Sequence, residues 1–133
     1  MWYSIKNDTE EEKTTMRSSK QYSCPVEATL DVIGGKWKGV VLFHLLPGPQ
    51  RFSDLKRLIP TITQRMLTLQ LRELEEDGVV HREIYQQIPP KVEYSLTEFG
   101  KTLEPIVLTL LKWGEQYTNQ IVERKRALEA EHS

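Results

Sequence analysis

The sequence predicts a mainly α-helical fold with a small β-hairpin, arranged as a winged helix-turn-helix. Three observations predict it. Two short amphipathic segments, one ending at Pro60 and one opening at Thr63, have the spacing of a helix-turn-helix. Two β-rich segments, Val80 to Tyr85 and Val92 to Leu96, follow at once. A long stretch of helical periodicity then closes the chain.

Each element has a local cause. Residues 1–21 are polar, with three consecutive glutamates and many Ser and Thr, and read as a mobile arm. Residues 22–133 read as one domain. Pro25 suits the first position of a helix that carries Val26, Leu30 and Ile33 at helical spacing and ends at Gly34-Gly35. A second helix, about Lys36 to Leu46, is apolar nearly all round and is expected at the centre of the core. Pro47-Gly48-Pro49 forces a turn. Ser53 is the expected cap of a third helix, with Leu55, Leu58 and Ile59 on its inner face. Thr63 caps a fourth helix that stops at Gly78. The loop from Gln86 to Lys91 holds two prolines and cannot be strand, which places Lys91 at a hairpin tip. Thr97 caps a helix to about residue 130, kinked near Gly100 and Pro105.

Composition narrows the function. With 38% hydrophobic and 28% charged residues, the chain is an ordinary soluble globule. It has no long uncharged apolar run, and its N-terminus lacks an apolar signal core, which points to the cytoplasm. A lone cysteine, Cys24, excludes an internal disulfide. The net charge of −1 argues weakly against nucleic acid, but charge is polarised along the chain. Residues 20–66 hold seven Lys/Arg against three acids, whereas residues 67–90 hold two against five.

The fourth helix carries the candidate site. With Leu67 at zero and 100° per residue, Leu71 and Leu74 fall within about 40° of it and form the buried stripe. Arg65, Thr68, Leu69 and Arg72 fall opposite, and Gln64 lies at the N-terminal edge. Arg can grip guanine O6/N7, Gln can grip adenine, and a leucine can touch a thymine methyl. Lys56, Arg57 and Lys91 supply charge for phosphates near that surface. The plainer reading is an amphipathic surface helix with one stray leucine.

In the last helix, Phe99, Leu103, Ile106, Leu110, Trp113, Tyr117 and Ile121 form one apolar stripe. Val107, Leu111 and Val122 form a second, and this second stripe is assigned to a partner subunit. Cys24 stands before Pro25, so its sulfur is expected at a helix N-terminus, where unpaired N–H groups favour a thiolate. Lys20 and Lys36 are near it in sequence. An unpaired cysteine can equally be a small inert apolar residue.

Other classes fit less well. His44, His81 and His132 are widely separated and show neither triad nor metal-motif spacing, and nothing resembles a phosphate loop. The Glu75-Glu76-Asp77 run reads as a solvated helix end. No enzyme, cofactor or metal is therefore expected, since one thiol makes no metal sensor. A winged helix used only for protein–protein contact remains open, as does a ligand-responsive regulator without thiol sensing.

The strings CPVEATLDVIGGKW, RFSDLKRLIP, ITQRMLTLQLRELEEDGVV, IPPKVEYSLTEFGKTLEP and LKWGEQY occur in order over about residues 24–114. In them the chain resembles the HxlR family of bacterial winged helix-turn-helix regulators, a MarR-like group. The resemblance implies a homodimer, usually a repressor, on a pseudo-palindromic double-stranded DNA operator. It also implies that the first helix and the C-terminal helices dimerise, and that in some members a cysteine at the place of Cys24 senses oxidants or electrophiles. The long arm and the basic segment Arg124-Lys125-Arg126 depart from the family pattern.

Overall fold

A computed structural model of the chain describes residues 21–132. The predicted arm and Lys20 lie outside the described residues, apart from Gln21. The elements are α1 (Pro25–Ile33), α2 (Lys38–Leu45), β1 (Gln50–Arg51), α3 (Phe52–Leu58), α4 (Gln64–Glu76), β2 (Val80–Tyr85), β3 (Lys91–Leu96), α5 (Glu98–Lys101) and α6 (Glu104–Glu131). The architecture is a winged helix: α3 and α4 form the helix-turn-helix, and the β2–β3 hairpin is the wing. Among the described residues no helix is long and apolar enough to cross a membrane.

The core is one cluster around α2. Val41, Leu42 and Leu45 of α2 meet Leu55 and Ile59 from the α3 segment, Leu67, Leu71 and Leu74 of α4, and Val107 of α6. All of these are buried. Burying each leucine from water is worth about 1.5–3 kcal/mol, so α2 is the element on which the others assemble. Its burial is not complete, because Val40 lies on an exposed edge.

Several local expectations are corrected. Ser53 is not the cap of α3. The Arg51 N–H donates to Asp54 Oδ2 at 2.9 Å, so the helix opens at Phe52. That hydrogen bond, followed by the Arg57 side chain, holds the Asp54 carboxyl below its ordinary range. Leu58 does not face inward: it is exposed, while Leu55 and Ile59 are buried. The sheet has three strands in the order β1-β3-β2, all antiparallel, with Gln50 opposite Tyr94 and Arg51 opposite Glu93. A two-residue strand leaves no periodicity in the sequence, and it forms because β3 offers its open edge.

The expected single C-terminal helix is two helices, separated at Thr102-Leu103. Pro105 lacks the N–H that a continuous helix would direct at the Lys101 carbonyl. The chain turns instead through the contacts Thr102 N–H to Phe99 O and Leu103 N–H to Gly100 O. Thr97 fastens this turn to the end of α4. Its hydroxyl donates to Gly78 O at 2.7 Å and accepts the Gly100 N–H at 2.9 Å. Gly78 itself has φ +78°, the left-handed geometry that stops α4 and turns the chain into β2.

Gly100 is needed for a different reason. A Cβ there would stand 2.0 Å from the carbonyl oxygen of Val79, a backbone atom that cannot step aside. We predict that Gly100→Ala costs about 3 kcal/mol, at the upper end of overpacking effects. Urea titration should show a lower midpoint at unchanged slope. An unchanged midpoint would mean that the close approach does not constrain the fold.

Candidate nucleic-acid interface

The interface is built outward from α4. Thr63, in extended geometry, caps it: the hydroxyl accepts the Met66 N–H at 3.1 Å. Below the cap, Leu67, Leu71 and Leu74 are buried, as the periodicity predicted. Their burial turns Gln64, Arg65, Thr68, Leu69 and Arg72 outward, and all five are exposed. Leu69 keeps 40% of its surface in solvent. Thr68 donates its hydroxyl proton to Gln64 O at 2.9 Å, which leaves its oxygen as an acceptor. Neither Arg65 nor Arg72 forms an ion pair among the described residues. Two guanidinium groups with open donor faces thus flank one apolar and one hydroxyl side chain. This chemistry suits base edges in a major groove.

The other predicted cations differ from one another. Arg57 is held by Asp54 at 2.7 Å, and Lys56 is half-buried. Lys91 is not at the hairpin tip, because it is the first residue of β3, paired with Tyr85. Its ammonium lies 3.3 Å from Glu93 Oε2 and 4.9 Å over the Tyr85 ring. The same Glu93 charge pushes the Tyr85 phenol up. The tip is Gln86 to Pro90, which holds no cation, and its Ile88 is fully exposed.

Two residues of the acidic end of α4 are structural, which sequence reasoning missed. Glu73 Oε1 lies 2.6 Å from Lys38 Nζ of α2, and Glu75 Oε1 lies 3.5 Å from Arg82 Nε of β2. Glu75 is therefore not merely part of a solvated helix end. A lysine opening a helix whose first turn lacks an acid was the available signal for the first pair.

Cys24 is the N-cap of α1 and is exposed, so its sulfur lies at a helix N-terminus as expected. That end already has an anion. Glu27 Oε1 accepts the Cys24 N–H at 3.1 Å and the Ser23 N–H at 2.8 Å. Lys36 lies with its ammonium 4.6 Å over the Trp37 ring.

Neither stripe of the last helix is wholly inside or wholly open. Val107 is 3% exposed and belongs to the domain's own core, Leu111 is half-buried, and only Val122 of that set is exposed. In the other stripe Leu103, Tyr117 and Ile121 are half-buried, whereas Phe99, Ile106, Leu110 and Trp113 are exposed, Leu110 at 52% and Trp113 at 58%. Helical angles separate the stripes, but only the position of α2 decides which is inside. On α1, Val26 and Leu30 are also exposed rather than packed with Ile33.

Residues 32–122 match the model of the family described as HxlR-like helix-turn-helix. The chain is 64% identical over 108 residues to the HTH-type transcriptional regulator YdeP of Bacillus subtilis (strain 168), covering 81% of this chain and 84% of that one. Among solved structures, it is similar to the redox regulator HypR in its oxidized form, at 70% identity and TM-score 0.69, covering 70% of this chain and 96% of that one. It is likewise similar to HypR in its reduced form, at 64% identity and TM-score 0.71, covering 75% and 99%.

Proposed function

The chain belongs to the HxlR-like helix-turn-helix family of transcriptional regulators, and from that premise we propose that it binds its operator as a homodimer through the outer face of α4. The observation that carries this reading is the pair of open guanidinium groups, Arg65 and Arg72, on the face opposite the buried leucines. Gln64, Thr68 and Leu69 complete the base-reading set, while Lys56, Arg57 and Lys91 fit better as phosphate contacts. Occupancy of an operator by such a dimer blocks transcription where the site overlaps a promoter.

Assembly follows from the open apolar faces. Val26 and Leu30 on α1, with Ile106, Leu110 and Trp113 on α6, are large side chains left in solvent by the single chain. A patch of this kind marks a protein contact. A second copy is the occupant that sets two α4 helices about one turn of DNA apart.

Cys24 is proposed as a regulatory thiol responsive to oxidants or electrophiles. Its support is its exposure at the start of α1, beside the proposed dimer face, together with the likeness to a regulator solved in oxidized and reduced forms. With one cysteine per chain, the products are a bond to Cys24 of the second subunit or a mixed disulfide with a small thiol. Glu27 already accepts the Cys24 N–H at that helix end, while the Cys24 side chain stays open to solution.

Three outcomes are expected. Arg65→Ala weakens operator binding by about 1–3 kcal/mol and relaxes preference at one base per half-site, with scrambled DNA far less affected. An equal loss on both duplexes would make Arg65 a phosphate contact. Leu110→Glu yields monomers by light scattering and abolishes operator binding, whereas a dimeric, active variant would place the interface elsewhere. Mild diamide treatment lowers operator affinity of the wild type but not of Cys24→Ser. Equal responses, or no response in the wild type, would remove Cys24 from the mechanism.

A further inference from the structure

α4 is held at two points along its C-terminal half, one on each side of its buried stripe. Taking Leu67 as zero, Glu73 stands at about 240° and Glu75 at about 80° around the helix. Glu73 reaches α2 through Lys38 at 2.6 Å, with the two side chains 12% and 27% exposed for Lys38 and Glu73. Glu75 reaches β2 through Arg82 at 3.5 Å, in a more open setting. The first contact is the shorter and the better shielded.

Lys38 is a costly residue at its position. It is the first residue of α2, whose opening turn contains no acid, so its charge stands at the positive end of that helix's dipole. It is also largely withdrawn from water, which a charge tolerates only with a partner held in good geometry. That partner comes from α4. The leucine stripe supplies most of the attraction between the helices, but apolar contact is non-directional and leaves some freedom of roll. A close, shielded ion pair resists that roll, because turning the helix separates two charges that water screens poorly. A roll of about 20° moves a side-chain tip about 6 Å from the helix axis by about 2 Å. That displacement is enough to break a hydrogen bond to a base edge.

We infer that Lys38, acting through Glu73, is a positioning residue for DNA reading. It fixes the roll of α4, so that Arg65, Thr68, Leu69 and Arg72 meet the bases in register. The inference rests on α4 being the reading helix.

The test uses the full chain, a duplex that the wild type recovers from a random pool, and a scrambled duplex of equal length. Specific and non-specific affinities are measured for Lys38→Met, Glu73→Gln, the double variant and Lys38→Arg, with thermal unfolding as a fold check. Each of the first two is expected to lower the ratio of specific to non-specific affinity about tenfold. The double variant falls no further than either single one, because one contact has been removed twice. Lys38→Arg keeps the ratio within about twofold. Charge alone cannot produce this pattern. Lys38→Met removes a positive charge and weakens all DNA binding, while Glu73→Gln removes a negative one and strengthens it. Should Lys38→Met fail to fold, Glu73→Gln alone decides. Unchanged ratios in folded variants, or additive losses in the double variant, overturn the inference while leaving base reading by α4 intact. A wild type that recovers no duplex overturns both.

Discussion

The burial of Leu67, Leu71 and Leu74 against the α2 core is the constraint on which the rest depends. One helix face cannot be both inside and outside. Once these three leucines leave water, Arg65, Thr68, Leu69 and Arg72 are presented to solvent with no further instruction. Thr63 fixes where that helix begins and Gly78 where it ends. Function here is the remainder of a packing solution. The residues that bury most tightly determine which ones face solvent.

The same logic explains what was legible in the sequence. Local chemistry was readable because it acts over one turn: Thr63 as a cap, Gly78 as a stop, Val80 to Tyr85 as a strand and the leucine stripe of α4 all stand where periodicity placed them. Choices made by distant partners were not readable. Asp54 rather than Ser53 secures the start of α3, because the carboxylate three residues on reaches the Arg51 N–H. Strand β1 exists only because β3 has a free edge. Angles around α6 distinguish two apolar stripes but cannot say which one faces α2, so Val107 was assigned to a partner and is found in the core. Of the candidate site, the α4 residues were visible. The setting of Lys91 was not, since its ion pair with Glu93, two positions on along the same face of β3, depends on where the strand begins.

Polarity is divided along the molecule in a way that separates two tasks. The outer face of α4 carries open cations and hydrogen-bonding groups, whereas α1 and the exposed stripe of α6 carry aliphatic and aromatic surface. The net charge of −1 is therefore no obstacle to nucleic acid. The acids of α4 are spent in part on Lys38 and Arg82, away from the N-terminal half of the helix. Both faces converge on α2, which packs against α1, α4 and α6.

Whether α4 reads bases from the major groove as one of a symmetric pair is decided by methylation interference on a duplex selected by the wild-type protein. Methyl groups at guanine N7 stand in the major groove and block Arg contacts there. Interference is expected at two symmetry-related guanine positions about ten base pairs apart, one for each α4 of the dimer. Binding that is indifferent to N7 methylation, or interference confined to one unpaired position, would contradict it.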